Sequence, residues 1–163
     1  MNQELNKLKY IIQDQEDEQS TIEILKNYDI EIDLDGGTPL HHAINHNKNK
    51  VVTYLINNGA NVNALYEGDY TPLMFAIDRD NNEMAKLFLE HGANVHLVDK
   101  HGNGALWKAV FHNNLEIVRL LVKAGTDPFK VIKDGWSIYD GAKHIGVNEI
   151  VDFFDSVQRN FEQ

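Results

Sequence analysis

The same residues return along this chain at a step of thirty-three positions. Thr38-Pro39-Leu40 comes back as Thr71-Pro72-Leu73. Ala43 is followed at the same interval by Ala76, Ala109 and Ala142, and Gly59 by Gly92 and Gly125. Self-similarity at such a period means one supersecondary unit copied several times. A single copy cannot bury its own apolar side, so the copies must stack. The spacing therefore predicts a linear array and not a globule around one centre.

Within one copy the pattern reads as two short helices. Thr38-Pro39 opens the first, with proline where a missing N–H costs least. Leu40, Ala43 and Ile44 make its apolar face, and Asn47 to Asn49 make a turn. Val51, Val52, Leu55 and Ile56 repeat the helical spacing, and Asn58-Gly59 ends the second helix. Ala60 to Asn63 lead into an extended finger. Leu73, Ala76 and Ile77, then Met84, Leu87 and Phe88, answer these positions one copy later.

The expected boundaries are repeats over 33–65, 66–98 and 99–131, with a closing repeat and polar tail over 132–163. Residues 1–32 match weakly. Leu5, Leu8, Ile11 and Ile12, then Ile22, Ile24 and Leu25, have helical spacing and predict a degenerate capping pair. The acidic stretch Asp14 to Glu18 is the expected turn between them. Counting the caps gives about five helical pairs in an all-α solenoid.

The Thr38-Pro39-Leu40-His41-His42-Ala43 string, and Thr71-Pro72-Leu73-Met74-Phe75-Ala76 with only its histidine changed, resemble the ankyrin repeat over about residues 33–157. That resemblance implies a concave surface of fingers and first helices that binds another protein. Carried over by position, it holds Asp35, Gly37, Asn45 and His46, then Glu67, Tyr70, Asp78 and Arg79. The third repeat gives Lys100, His101, Asn103, Phe111 and His112, and the fourth Lys133, Trp136 and His144. The resemblance also gives His41 a structural role, bonding the backbone of the neighbouring finger. Framework packing accounts for the aliphatic positions but not for Tyr70, Phe111 or Trp136. Aromatics with polar neighbours are typical interface anchors. These three are expected to form an apolar centre ringed by Asp78, Arg79, Lys100, His101 and His112. Trp107, in the motif histidine's place, either joins them or folds over the C-terminal core.

The net charge of −10 is uneven: residues 1–35 hold ten acids and three bases, 36–146 balance, and 147–163 are net −3. Acidic ends keep a stacked array soluble, or steer a basic partner. Nucleic acid needs a basic stripe and is not expected. There are no cysteines, and no apolar run reaches the ~18 residues of a membrane span. The N-terminus is polar with no secretory pattern, so a cytoplasmic setting is expected.

Tests for chemistry give nothing. His41 and His42 are adjacent on a helix and diverge by about 100°. No H-E-x-x-H, phosphate loop or G-x-S-x-G string occurs. No metal, cofactor or catalytic residue is expected. The reading is a non-enzymatic protein-binding module, monomeric when free, with a basic-surfaced protein as partner. The Gly104 to Phe111 string is similar to ones in small bacterial ankyrin proteins that neutralise a cognate toxin, which implies an inhibitor or immunity protein. The alternative is a host-directed effector or a regulatory scaffold.

Overall fold

The structure, a computed structural model, describes residues 2–13, 17–35, 37–131 and 135–161. Among these residues there are ten helices and no strand. They are α1 (Asn2–Gln13), α2 (Glu18–Leu25), α3 (Pro39–Asn45), α4 (Asn49–Asn57), α5 (Pro72–Asp78), α6 (Asn82–Glu90), α7 (Ala105–Phe111), α8 (Leu115–Lys123), α9 (Ile138–Ile145) and α10 (Asn148–Phe161). Consecutive helices pair, and the odd-numbered ones also pack in an unbroken inner row from α1 to α9. Three fingers close with a single antiparallel bridge: Tyr66 with Tyr70, Val98 with Gly104, and Val131 with Ser137.

The sequence period becomes the core directly. Ala43, Ala76, Ala109 and Ala142 are all fully buried, and their small side chains let the inner helices approach closely. Leu55, Phe88, Leu121 and Phe154 form a second fully buried column on the outer helices. Leu40, Leu73 and Leu106 fill the space between the rows.

Helix ends follow local chemistry. Thr71 and Ser137 cap α5 and α9 by accepting from Met74 N and Asp140 N. α4, α6 and α8 are each nine residues long. They stop before Gly59, Gly92 and Gly125, whose φ values of 92°, 81° and 101° suit glycine. The equivalent fourth position is Gln158, and α10 runs on to fourteen residues.

The N-terminal pair is tied in by carboxylates. Asn81 and Asn114 cap α6 and α8, but their equivalent before α4 is Lys48, which cannot accept a hydrogen bond. Glu18 takes over: its Oε2 accepts from Lys50 N at 2.7 Å and Val51 N at 3.2 Å. Glu31 similarly accepts from Asn61 N at 2.7 Å. This corrects the assignment of the acidic stretch. Asp17 is the N-cap of α2 and Glu18 its first residue, so neither is a free turn charge. Asp14 and Glu16 lie outside the described residues.

Candidate partner-binding groove

The groove lies between the return limbs of the fingers and the C-terminal ends of the inner helices. Its geometry is clearest in the second repeat. Tyr70, on a return limb, donates its hydroxyl to Asp78 Oδ2 at the end of α5, 2.7 Å away. Trp136 makes the matching approach two repeats on, meeting His144 at the end of α9 edge-on with ring centroids 5.6 Å apart.

Behind Tyr70 sits a polar cluster centred on Lys108. This lysine points from α7 toward α5, with its side chain only 9% exposed. Its Nζ is 3.3 Å from Asp78 Oδ2 and 3.3 Å from Asp99 Oδ2. It also bonds the Tyr70 hydroxyl and lies 4.2 Å from the centre of the Tyr70 ring. Burial opposes its charge, but Tyr70, Asp78 and Asp99 outweigh that and hold its pKa above the ordinary lysine value. Burial alone would raise the Asp99 carboxyl. The backbone N–H groups of Asn103 and His101, together with Lys108, instead hold it below the usual carboxylate range. The Tyr70 hydroxyl is raised by burial and by Asp78, against the pull of Lys108. His112 completes the cluster, with Nε2 3.2 Å from Asp78 Oδ1 and Nδ1 3.8 Å from Asp80 Oδ1.

The expectation of one apolar centre through Tyr70, Phe111 and Trp136 is corrected here. Tyr70 is part of a hydrogen-bonded wall, because a half-buried phenol next to Asp78 and Lys108 satisfies its hydroxyl inside the protein. Phe111 and Trp136 remain as exposed aromatics, at 65% and 49%. Asp78 is shared between Tyr70, Lys108 and His112. Arg79 is exposed but reaches back one repeat, donating from Nη1 to the Asn45 carbonyl at 2.8 Å and from Nη2 to the Asn45 side chain. Lys100 and His101 stand exposed on the third finger.

The remaining carried-over positions divide as follows. Asp35 is exposed and pairs with Lys9 of α1 at 3.0 Å. Glu67 is exposed, and His46 and Asn103 are half-buried. Gly37 is no groove surface: it is buried, and a Cβ there would come within 2.7 Å of the Tyr66 ring. Lys133 lies outside the described residues. Gly135, Trp136, Asp140, Lys143 and His144 line a shallow hollow of about 490 Å³ at the C-terminal end.

Trp107 folds toward the C-terminal core. Its ring lies against Gly141 of α9, where an added Cβ would be 2.4 Å from Cζ3. His41 does bond the next finger, with Nε2 3.0 Å from the Ala64 carbonyl oxygen, and Nδ1 accepts from Thr38 N. His42 Nε2 lies 2.9 Å from the Leu34 carbonyl oxygen.

Two features escaped the sequence reading. Lys108 gave no signal, because a lone lysine on a short helix normally points to water. The other is a run of exposed aliphatics on the fingers, Leu65, Val98 and Val131 at 52%, 49% and 63%. Their step of thirty-three residues is the signal the sequence offers for them.

A stacked helical array with a side-chain-lined groove defines a repeat-type binding protein. The sequence model described as ankyrin repeats (3 copies) matches residues 6–66 and 65–131, and the chain belongs to the ankyrin-repeat family. Ankyrin repeats bind other proteins, so the chain is a protein–protein interaction module. Comparison with curated proteins gives no match. No helix among the described residues is long and apolar enough to cross a membrane.

Proposed function

We propose that this chain is a cytoplasmic protein that acts by occupying the surface of a partner protein, as a stoichiometric inhibitor of the immunity type. It works without cofactor or turnover and is monomeric until bound. The observation that carries this reading is the pair Phe111 and Trp136, large aromatic side chains left exposed at groove positions while the Leu40, Leu73 and Leu106 layer is buried. Exposed Glu67, Asp69 and Asp80 in the second repeat favour a partner with a basic surface.

The test begins with affinity capture by the tagged chain from cells of its source, alongside a Phe111→Ala/Trp136→Ala variant. The captured protein is then assayed for activity as the chain is added back. An inhibitor silences its partner at one-to-one stoichiometry, and the double variant captures little. A partner that keeps full activity when saturated would contradict inhibition and favour the scaffold alternative. Capture only from cells of another organism would favour the effector alternative.

A further inference from the structure

The chain holds two Asn–Gly pairs, Asn58–Gly59 and Asn103–Gly104. Such a pair is chemically labile in an open chain, because no side chain on the glycine shields its backbone nitrogen from the asparagine amide carbon. The fold treats the two pairs differently. Asn58 is the C-cap of α4, and its Nδ2 donates to the Tyr54 carbonyl at 2.8 Å. Gly59 N donates to the Ile56 carbonyl at 3.0 Å. Both reacting groups are therefore held at the end of a helix. Asn103–Gly104 stands where the third finger returns to α7. Among the described residues, neither the Asn103 side chain nor Gly104 N has a hydrogen-bond partner. The Val98–Gly104 bridge is closed by Asp99 N donating to the Asn103 carbonyl at 3.0 Å, so Gly104 is in a pair that exchanges no bonds of its own. The matching positions elsewhere are Thr38, Thr71 and Ser137, whose side chains would hinder attack on the nitrogen.

We infer that Asn103–Gly104 is a self-modification site, at which the third finger converts an amide into a carboxylate while Asn58–Gly59 stays intact. Gly104 N gives up its proton and attacks Asn103 Cγ. The new N–C bond closes a succinimide ring. The Cγ–Nδ2 bond breaks, and the nitrogen leaves as ammonia with the proton that Gly104 N gave up. Water then opens the ring at either carbonyl and leaves an aspartyl or an isoaspartyl residue. Exposure alone would favour the other pair, since Asn58 and Gly59 are exposed and Asn103 and Gly104 half-buried. Hydrogen bonding decides against it: two bonds must break before attack, which slows Asn58 about tenfold or more. The isoaspartyl product takes the Asn103 carbonyl out of the main chain and inserts a methylene before Gly104. Asp99 N thereby loses its main-chain acceptor. The new carboxylate also stands beside Asp99, whose Oδ1 accepts from Asn103 N at 3.0 Å and whose Oδ2 is 3.3 Å from Lys108 Nζ. Conversion therefore loosens the finger at the residue that anchors the Lys108 cluster. None of this chemistry depends on what the groove binds.

The test incubates the full chain at mildly alkaline pH, both native and unfolded in urea, and follows the two sites by peptide mass spectrometry. In urea they should convert at similar rates. In the native chain Asn103 should convert about tenfold faster than Asn58. Gly104→Ala should slow Asn103 by shielding the nitrogen, and the φ of −95° at that position accepts alanine. The converted chain separates from the parent by its added negative charge. Its Asp99 amide should exchange faster with solvent, while Gly59 and Ala60 keep their protection. Asn58 converting as fast as Asn103 in the native chain would overturn the proposal. So would an Asn103 that converts in urea and stays intact in the native chain. Unchanged exchange at Asp99 in the converted chain would overturn the link to the Lys108 cluster.

Discussion

The two halves of the groove share one backbone register and use it in opposite ways. In the second repeat, the finger's aromatic and the helix-end residue are Tyr70 and Asp78, and they bond each other. One and two repeats on, the same positions hold Phe111 and Trp136, which point outward. The N-terminal half spends its side chains internally. Arg79 clamps Asn45, Lys108 joins Tyr70, Asp78 and Asp99, and Glu18 caps α4. In the C-terminal half Phe111 and Trp136 meet His112 and His144 edge-on and leave about half or more of their surface open. The difference teaches that a groove position in a solenoid is not by itself a binding residue. The side chain must also keep much of its surface outside the fold's own contacts.

The sharpest way to break this comparison is to remove an internal residue and compare it with the outward ones. Lys108→Ala leaves Asp99 buried and unpaired, and should cost about 3 kcal/mol of unfolding free energy in denaturant titration. Phe111→Ala and Trp136→Ala should each stay within about 0.5 kcal/mol. A similar cost for all three would erase the distinction between inward and outward side chains.

Gly141→Ala probes how the C-terminal half is built. The new methyl would collide with the Trp107 ring, so a loss of about 1–3 kcal/mol is expected. Trp107 fluorescence should shift as the ring is displaced, in a Trp136→Phe background that isolates its signal. An unchanged spectrum and stability would mean that Trp107 does not rest on α9.

At the opposite end, Lys48→Asn should stabilise the chain by about 1 kcal/mol. It supplies a cap from the N-cap residue itself, where Glu18 now reaches across, and removes a buried amine with no hydrogen-bond partner. Glu18→Ala should then cost less in that background than in the parent, a coupling that a double-mutant cycle reads directly.

The smallest effect is one of pH. His41 and His42 are both buried, and burial lowers each pKa below the ordinary 6.5. The unfolded chain therefore takes up protons that the folded chain refuses. Stability is fully present above about pH 6.5 and falls as pH drops toward the folded-state values. The matching positions downstream are Met74 and Phe75, Trp107 and Lys108, then Asp140 and Gly141. Hydrogen exchange at mildly acidic pH should accordingly open α3 before α7, and His42→Gln should reduce the pH slope of the melting temperature.

What the sequence made legible is what repeats. The thirty-three-residue step predicted the alanine column, the Leu40, Leu73 and Leu106 layer and the glycine stops, because each copy must meet its neighbour in the same way. The departures from the repeat were harder to read. Lys108 is buried only because Asp78 and Asp99 reach it from two different repeats, and Tyr70 is satisfied for the same reason. Trp107 depends on a glycine in the next repeat, and Glu18 on a lysine one repeat ahead. Such pairs show in the sequence only when a deviation in one copy is read against its neighbour thirty-three residues away.

The most direct test of the central claim is hydrogen exchange of the chain in complex with its captured partner, compared with the free chain. New protection should concentrate on residues 98–112 and 135–146, where side chains are offered outward, with a weaker footprint on the second finger. Protection confined to the outer helices α4, α6 and α8, with the groove unchanged, would contradict the account.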